Sequence, residues 1–238
     1  MRRRFFVDQF TGQSATIEGE TAHHLSRVLR AQQGQQYELS DGVSVRLGRI
    51  ETVARDRIEF ALLEEIPSHP PAVDLTLVLS IVKFDAFEWA IEKATELGVG
   101  TIVPVAASRS EKALLAAAEK RADRWRKILV EASQQSRRVR VPVLEVPLRP
   151  DQAFSKPQRG AKILLSERAE AAALREVLSG SKLAQATLAI GPEGGWTAEE
   201  FASAAAAGFR EASLGNLILR TETAVIAALA SLNYALGV

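Results

Sequence analysis

Three glycines lie within five residues at the end of an apolar run in the last third of the sequence. The segment ATLAIGPEGGWTAEE predicts a strand that ends at Gly191, a loop through Gly195, and a helix capped by Thr197 with Glu200 three residues on. One glycine is enough for a plain strand-to-helix turn, so the other two favour a loop whose backbone closely approaches a ligand. The phosphate-binding pattern Gly-Lys-Ser/Thr does not follow, and the spacing is not that of the dinucleotide fingerprint. Both facts disfavour nucleoside triphosphates and NAD.

A second irregular loop follows the next predicted strand. The segment EASLGNLILRTETAVIAALASLNYALGV predicts a short strand ending at Leu214-Gly215, a loop through Arg220, and a helix that begins at Thr221. This helix is apolar almost all round, which indicates burial on more than one face or pairing with another chain. Because loops that leave neighbouring parallel strands lie on the same side of a sheet, the two loops are expected to enclose one flat ligand.

The ionisable side chains beside these loops are Glu193, Arg220 and Glu222. A guanidinium keeps its proton in proteins, so Arg220 is expected to stabilise developing negative charge and not to act as a base. A carboxylate or a water molecule is then left as the proton acceptor. The other interpretation of Glu193 is a simple turn residue, and that of Glu222 is a first-turn carboxylate favoured by the helix dipole.

The composition is that of an ordinary globular protein. The chain has 238 residues, 47% hydrophobic and 25% charged, a size that favours two domains. It has no cysteine, which excludes disulfides and thiolate nucleophiles and suits a cytoplasmic location, and no metal is expected. Neither a signal peptide nor an apolar run long enough to span a membrane is recognised. Because the net charge is only +1, any affinity for nucleic acid must come from local basic clusters.

The first third of the chain, residues 1–70, is predicted to form a domain rich in β-strands. The runs RRFFV, SATIE, QQYELS, SVRLGRIETV and RIEFALLEE have β-branched or alternating apolar residues, and together they predict a small barrel. One helix, TAHHLSRVLR, is expected among them, with Thr21 as its cap and Leu25, Val28 and Leu29 on its buried face.

The second predicted domain, residues 74–238, follows a segment with three prolines at 65–74, where regular structure should stop. Apolar strands then alternate with helices, which predicts a mostly parallel sheet covered on both faces. The expected strands are DLTLVLSIV, TIVPVA, VLEV, AKILLSE, ATLAIG and EASLG, and the expected helices lie near 85–97, 117–137, 170–179, 198–207 and from about 222. Trp89 and Trp125 are expected in the core, and Trp196 either in the core or at the ligand.

Several segments, taken in order along the chain, resemble one known family. GPEGGWTAEE and LGNLILRTETA resemble the C-terminal signature of the SPOUT superfamily of trefoil-knotted methyltransferases, specifically the RsmE family, which methylates N3 of a uridine in 16S ribosomal RNA. HHLSRVLR, KFDAFEWAIEKATELGV, and EASQQSRR followed by VPVLE are similar to other motifs of that family. The resemblance implies an α/β fold in which a SPOUT-type parallel sheet with a trefoil knot follows a small PUA-like β-barrel that binds RNA.

The resemblance also implies a cofactor, S-adenosylmethionine, and a set of residues that hold it. These are Ser166, Ile190, Gly191, Pro192, Glu193, Gly194, Gly195, Leu214, Gly215, Leu217, Ile218, Leu219, Arg220, Thr223 and Ala224. The implied catalytic residues are Arg220, Glu193 and Glu222. The implied partners are the 16S rRNA of the small ribosomal subunit and a second copy of the chain in a homodimer, with no metal and no membrane.

Basic side chains and one histidine are expected to contact the RNA. They are Arg2, Arg3, Arg4, His24, Arg27, Arg30, Lys83, Arg109, Arg137 and Arg138. A solvated helix face is the competing interpretation of each basic cluster. In such dimers the active site is completed at the interface, so Arg137 and Arg138 are expected to serve the partner's pocket. The chain departs from the family pattern at Leu217, where relatives commonly have arginine, and at Phe84-Asp85-Ala86.

Two other functions stay open at this point. One is a different SPOUT methyltransferase that acts on transfer RNA or on a ribose hydroxyl. The other is a non-catalytic RNA-binding assembly protein, which would bind RNA but not S-adenosylmethionine.

Overall fold

A computed structural model describes residues 3–68, 73–157, 160–179 and 184–236 of the chain. These residues group into two compact units. The first unit contains the described residues up to 68 together with 133–141, and the second contains the others. Arg2 and the central part of the proline-containing segment lie outside the described residues.

The first unit contains a five-stranded mixed sheet, curled into a half-barrel, with the strand order β1-β3-β4-β5-β2. The strands are β1 Arg4–Phe6, β2 Ser14–Glu18, β3 Gln36–Ser40, β4 Val45–Val53 and β5 Arg57–Glu65. β1 is parallel to β3, and the other neighbours are antiparallel. All five predicted strands are therefore present, because their apolar residues, among them Leu39, Ile50 and Phe60, form one buried core.

The helical segment of the first unit differs from the prediction at its start and on its buried face. Helix α1 spans Gly19–His23 and continues into a π-helical turn, His24–Val28. The residue at the N-cap is Glu18, with no side-chain capping bond, so Thr21 lies inside the helix and does not cap it. Val28 is 64% exposed. Regular helical spacing predicts Val28 on the buried face, and the wider π-helical turn moves it away from that face.

A buried carboxylate joins residues 133–141 to the sheet of the same unit. Glu38 on β3 and Arg4 on β1 are both buried. Arg4 donates two hydrogen bonds to Oε2 of Glu38, at 3.1 Å from Nε and 2.8 Å from Nη2. Arg137 also forms an ion pair with Glu38, and its backbone carbonyl accepts a hydrogen bond from Arg4. The first unit is therefore completed by residues that lie about 70 positions after its last strand in the sequence.

The second unit is built on a seven-stranded sheet with the order β10-β12-β9-β11-β6-β7-β8, in which all neighbours are parallel. The strands are β6 Asp74–Ser80, β7 Val99–Val105, β8 Val143–Leu144, β9 Ala161–Leu165, β10 Ala172–Ala173, β11 Gln185–Ile190 and β12 Arg210–Ser213. The predicted parallel sheet is confirmed. The continuous apolar sequence of the central strands follows from burial on both faces.

The helices of the second unit largely follow the prediction. They are α2 Phe84–Glu96, α3 Lys112–Gln135, α4 Pro150–Ser155, α5 Leu174–Leu178, α6 Ala198–Ala206 and α7 Thr221–Leu236; the last three residues of α3 are grouped with the first unit. α3 begins before the predicted start at 117, and α5 is shorter than the predicted 170–179. α4 was not predicted, because six residues are too few to show a helical period.

The apolar helix α7 packs against α2. Val225, Leu229 and Leu232 of α7 are buried, as the sequence predicts. Nδ2 of Asn233 donates a hydrogen bond of 2.9 Å to the carbonyl of Leu97, just after α2. Among the described helices, none combines the length and the hydrophobicity that a bilayer crossing requires.

Candidate functional site

A cavity of about 580 Å³ opens at the carboxyl ends of three neighbouring strands in the second unit. Its walls come from the loops that follow β9, β11 and β12 and from the start of α7. Because these strands are adjacent and parallel, their carboxyl ends meet at one edge of the sheet, where ligands of open α/β sheets bind. The volume lies within the range of roughly 300–1,000 Å³ that is usual for small-molecule sites. This space is called the cofactor cavity below.

Close packing explains the glycines of the loop after β11. A methyl group on Gly191 would lie 3.0 Å from Nε1 of Trp196, whose indole is buried. Gly195 has a φ of +69°, in the left-handed region that favours glycine. These contacts fix the shape of the loop as part of the cavity wall. They favour the predicted ligand-binding loop over a plain strand-to-helix turn.

Arg109 holds this loop in place and itself lines the cofactor cavity. Its Nη1 donates hydrogen bonds to the carbonyls of Gly194, at 2.7 Å, and Trp196, at 3.3 Å. A methyl group on Gly194 would lie 3.3 Å from Cβ of Arg109. The guanidinium that the sequence predicts to contact RNA is thus engaged by the loop, and its RNA contact stays a prediction.

The first turn of α6 is fixed by a buried glutamate. Oε2 of Glu200 accepts a hydrogen bond of 2.7 Å from the backbone N–H of Thr197, and Oε1 accepts one of 2.8 Å from that of Ser108. The hydroxyl of Thr197 in turn accepts from the backbone N–H of Glu200 at 3.3 Å. The predicted capping box is confirmed, and it also ties the loop after β7 to α6.

The loop after β12 offers backbone donors to the cavity. Among the described residues, no amide from Asn216 to Arg220 donates a hydrogen bond. Thr221 donates from Oγ1 to the carbonyl of Gly191 at 3.4 Å and links this loop to the glycine loop. Leu217 and Ile218 are each 81% exposed. Free amides next to exposed apolar side chains suit a ligand with a polar edge and flat apolar faces.

The structure brings the residues of the predicted cofactor set together around this cavity, with the exception of Thr223, which does not line it. Glu167, Arg168 and Phe201 also line it and were not predicted. The guanidinium of Arg168 lies over the ring of Phe201, 4.9 Å from its centroid. No local pattern marks these three residues, because their position depends on the strand order β12-β9-β11.

A second cavity of about 570 Å³ shares Glu193 and Arg220 with the cofactor cavity. Glu222 lines it too, so the three predicted catalytic residues meet here. The rest of its wall comes from the start of α2 and consists of Lys83, Asp85, Ala86 and Trp89. Within the part of the chain that the structure describes, the side chains of Lys83, Glu193, Arg220 and Glu222 form no ion pair and no hydrogen bond.

The three tryptophans differ in their burial. Trp125 is 1% exposed and its ring centroid lies 4.5 Å from that of Phe87, which confirms its place in the core. Trp196 is 4% exposed and packs against Phe154, which confirms its place in the core; it also lines the cofactor cavity, and its contact with a ligand stays a prediction. Trp89 is 43% exposed, and its predicted core position is wrong.

The residues predicted to contact RNA fall into two groups. Arg3, His24, Arg27, Arg30 and Lys83 are exposed. The predicted RNA contact of Arg4 is wrong, because its ion pair with Glu38 holds it in the interior of the first unit at 5% exposure. Arg137 is partly exposed but is also paired with Glu38. Burial and the charge of Arg140 lower the pKa of Arg138 to about 10, which leaves it a cation at neutral pH.

In the described part of the chain, the charged side chains do not gather into a metal site. Within the described ranges, no group of three or more His, Cys, Asp or Glu side chains is placed to hold a metal ion.

Comparison with known proteins gives consistent matches over most of the chain. The sequence model of the RNA methyltransferase domain matches residues 69–233. Ribosomal RNA small subunit methyltransferase E of Synechocystis sp. is 34% identical over 232 residues, which cover 95% of this chain and 75% of that protein. The protein of the same name from Bacillus subtilis is 29% identical over 98% of this chain and 96% of its own.

Two solved structures are similar throughout. The crystal structure of a ribosomal RNA small subunit methyltransferase E from Neisseria gonorrhoeae, bound to S-adenosyl methionine, matches with a TM-score of 0.88 and 31% identity over 98% of each chain. A putative methyltransferase from Legionella pneumophila, in complex with the bound cofactor SAM, matches with a TM-score of 0.88 and 29% identity over 99% of this chain and 98% of its own.

Proposed function

The chain belongs to the ribosomal RNA small subunit methyltransferase E family, and from that membership we propose that it methylates N3 of a specific uridine in 16S rRNA. Enzymes of this family use S-adenosylmethionine, so the methyl donor follows from the family. The observation that carries the proposal is the convergence of the loops after β11 and β12 on one cavity, next to the cluster of Arg220, Glu193 and Glu222.

The cofactor cavity fits S-adenosylmethionine in its chemistry. The free amides between Asn216 and Arg220 suit the polar edge of adenine, and the apolar side chains of the same loop suit its faces. The buried Nε1 of Trp196 packs against Gly191 and has no hydrogen-bond partner among the described residues. The residues that would hold the cofactor are Ser166, Ile190, the loop 191–195, the loop 214–220 and Ala224.

The protein's own residues have to align the uracil and handle its proton. Bound S-adenosylmethionine supplies a methyl group on a positively charged sulfur. Holding two reactants in line contributes roughly 7–11 kcal/mol to lowering a barrier. N3 of neutral uracil carries a proton, and its loss leaves negative charge on the ring oxygens, which Arg220 stabilises. Glu193 or Glu222 accepts the proton, directly or through a water molecule.

The proposal extends to RNA binding and assembly. Exposed Arg3, His24, Arg27 and Arg30 support an RNA-binding role for the first unit, as a PUA-like barrel would have. The largely apolar α7 supports the trefoil knot and the homodimer that the family resemblance implies. A methyltransferase of the same superfamily acting on transfer RNA or ribose is the competing proposal.

Mass mapping of RNA from cells that lack this protein tests the function. We expect one uridine-containing fragment of 16S rRNA to be lighter by one methyl group. The wild-type gene should restore the methyl group, the Arg220→Ala variant should not, and Arg126→Ala, which changes an exposed arginine outside both cavities, should. Loss of a methyl group from transfer RNA or from a ribose would favour the competing proposal. Wild-type turnover of a folded Arg220→Ala variant would contradict the role given to Arg220.

A further inference from the structure

The second cavity has an aromatic wall that the proposed chemistry does not use. Helix α2 turns Phe87, Ala90 and Ile91 into the core, and Trp89 lies on the opposite face at 43% exposure. Ala86, one turn before it, also lines the cavity and is too small to cover the indole. The core therefore does not require this large apolar side chain, and its exposed surface borders the cavity.

The polar groups around this wall match one class of ligand. Lys83 and Arg220 are hydrogen-bond donors, and Glu193 and Glu222 are acceptors. Uracil presents two carbonyl oxygens, one ring N–H between them and two flat faces. A site for it needs donors, an acceptor and an aromatic surface, and this cavity has all three.

We infer that the target uracil, turned out of the RNA, lies in the second cavity with one ring face against the indole of Trp89. The inference rests on the proposed function and adds a substrate-positioning residue to it. Enzymes that act on bases commonly extrude the base and read it by stacking and by contacts to its edge. Because Glu193 and Arg220 border both cavities, a ring held here lies next to the cofactor cavity.

The charges beside Trp89 favour a polar ligand as the occupant of this cavity. Filling it with an apolar group would bury five ionisable side chains that have no partner among the described residues, and buried unpaired charges are costly. A base turned out of the RNA leaves a path to water and supplies polar partners of its own.

The test compares Trp89→Ala with Trp89→Phe, using small ribosomal subunits from cells that lack the protein as substrate. Stacking of a base on an aromatic side chain changes affinity by about 5- to 150-fold, so kcat/KM of Trp89→Ala should fall by about that factor. Trp89→Phe keeps a stacking surface and should stay within a few-fold of wild type. Affinity for S-adenosylmethionine should not change in either variant, because Trp89 does not line the cofactor cavity. Val146→Ala, an exposed apolar residue outside both cavities, is the matched control.

Fluorescence gives a second readout that a purely structural role would not produce. Trp125 and Trp196 are buried, so acrylamide should quench mainly Trp89 in the RNA-free protein. Addition of uridine-containing RNA with S-adenosylhomocysteine should shield that emission.

Three results would overturn the inference: turnover of Trp89→Ala equal to that of Val146→Ala, equal damage from alanine and phenylalanine, or an indole already shielded without RNA. Absence of methylation by the wild-type protein would instead contradict the proposed function.

Discussion

Replacing Glu38 with glutamine removes the negative charge inside the first unit and keeps the shape of the side chain. Arg4 would then remain buried, with its side chain only 6% exposed, and would lose its ion pair. Removing one partner of a buried ion pair costs about 3–5 kcal/mol. The contribution of Arg137 should be smaller, about 0–1 kcal/mol, because its side chain is 42% exposed and water screens the pair.

Hydrogen exchange of the amides in β3, β4 and β5 measures the loss of stability of the first unit. Since 1.4 kcal/mol corresponds to a factor of ten, we expect Glu38→Gln to speed the slowest of these amides by about 100- to 4,000-fold. A domain typically has about 5–15 kcal/mol of stability, so the variant should still fold. All three tryptophans belong to the second unit, and their fluorescence during urea unfolding reports separately that this unit is intact.

Two further variants make the reasoning refutable. Arg137→Ala should change the same exchange rates by less than about tenfold, since an exposed pair contributes little. Replacing Arg4 and Glu38 together by methionine removes both buried charges and should cost less than Glu38→Gln alone. Exchange in Glu38→Gln within a few-fold of wild type, or a double variant as damaged as the single one, would show that the ion pair does not stabilise this unit.

Two predictions concern the cofactor cavity. Glu200→Gln replaces one of two buried acceptor oxygens by an NH2 group that faces a backbone N–H, which should lower the free energy of unfolding by about 1–3 kcal/mol. Urea unfolding followed by tryptophan emission measures this loss, and the exposed Glu199→Gln should cost less than about 0.5 kcal/mol. Equal effects of the two variants would contradict the role of the buried carboxylate. Gly191→Ala places a methyl group against the indole of Trp196, and the resulting strain should lower the free energy of unfolding by about 1–3 kcal/mol in the same urea experiment. An unchanged free energy of unfolding would mean that the indole moves aside freely.

The elements that hold the candidate site were predictable because each has a local signature. The parallel strands read as continuous apolar runs, and the helix after the glycine loop is marked by the Thr197 and Glu200 capping box. The loops after β11 and β12 each follow a strand directly, so the sequence predicted that both lie at the carboxyl edge of the sheet. Arg168 and Phe201 could not be found this way, because they reach the cavity only through the order in which the strands pair.

The wrong prediction for Trp89 was avoidable. At about 100° per residue, Trp89 lies roughly 200° from Phe87 around the helix, on the face opposite Phe87, Ala90 and Ile91. Its size suggested the core, but the helical period places it outside. The sequence therefore already contained the signal that Trp89 lies outside the core.

The environment of Arg4 was not predictable from the sequence. Three successive arginines indicate a solvated basic cluster, and no local pattern marks one of them as buried. Its partner Glu38 lies 34 positions away, and Arg137 lies 133 positions away. These three side chains meet only when strand pairing and a distant loop bring them together, so their contacts depend on tertiary structure.

The pairing of Arg137 with Glu38 also bears on how this protein can be divided or recombined. Since residues 133–141 belong to the first unit, the chain leaves that unit near residue 70, re-enters it at 133 and leaves again at 141. A fragment that stops at residue 68 keeps Arg4 and Glu38 but lacks Arg137, and it also lacks the carbonyl of Val139 that accepts from Ser40. Exchange of the N-terminal part between relatives would therefore have to carry this short distant piece with it, and the two stretches are expected to be inherited together.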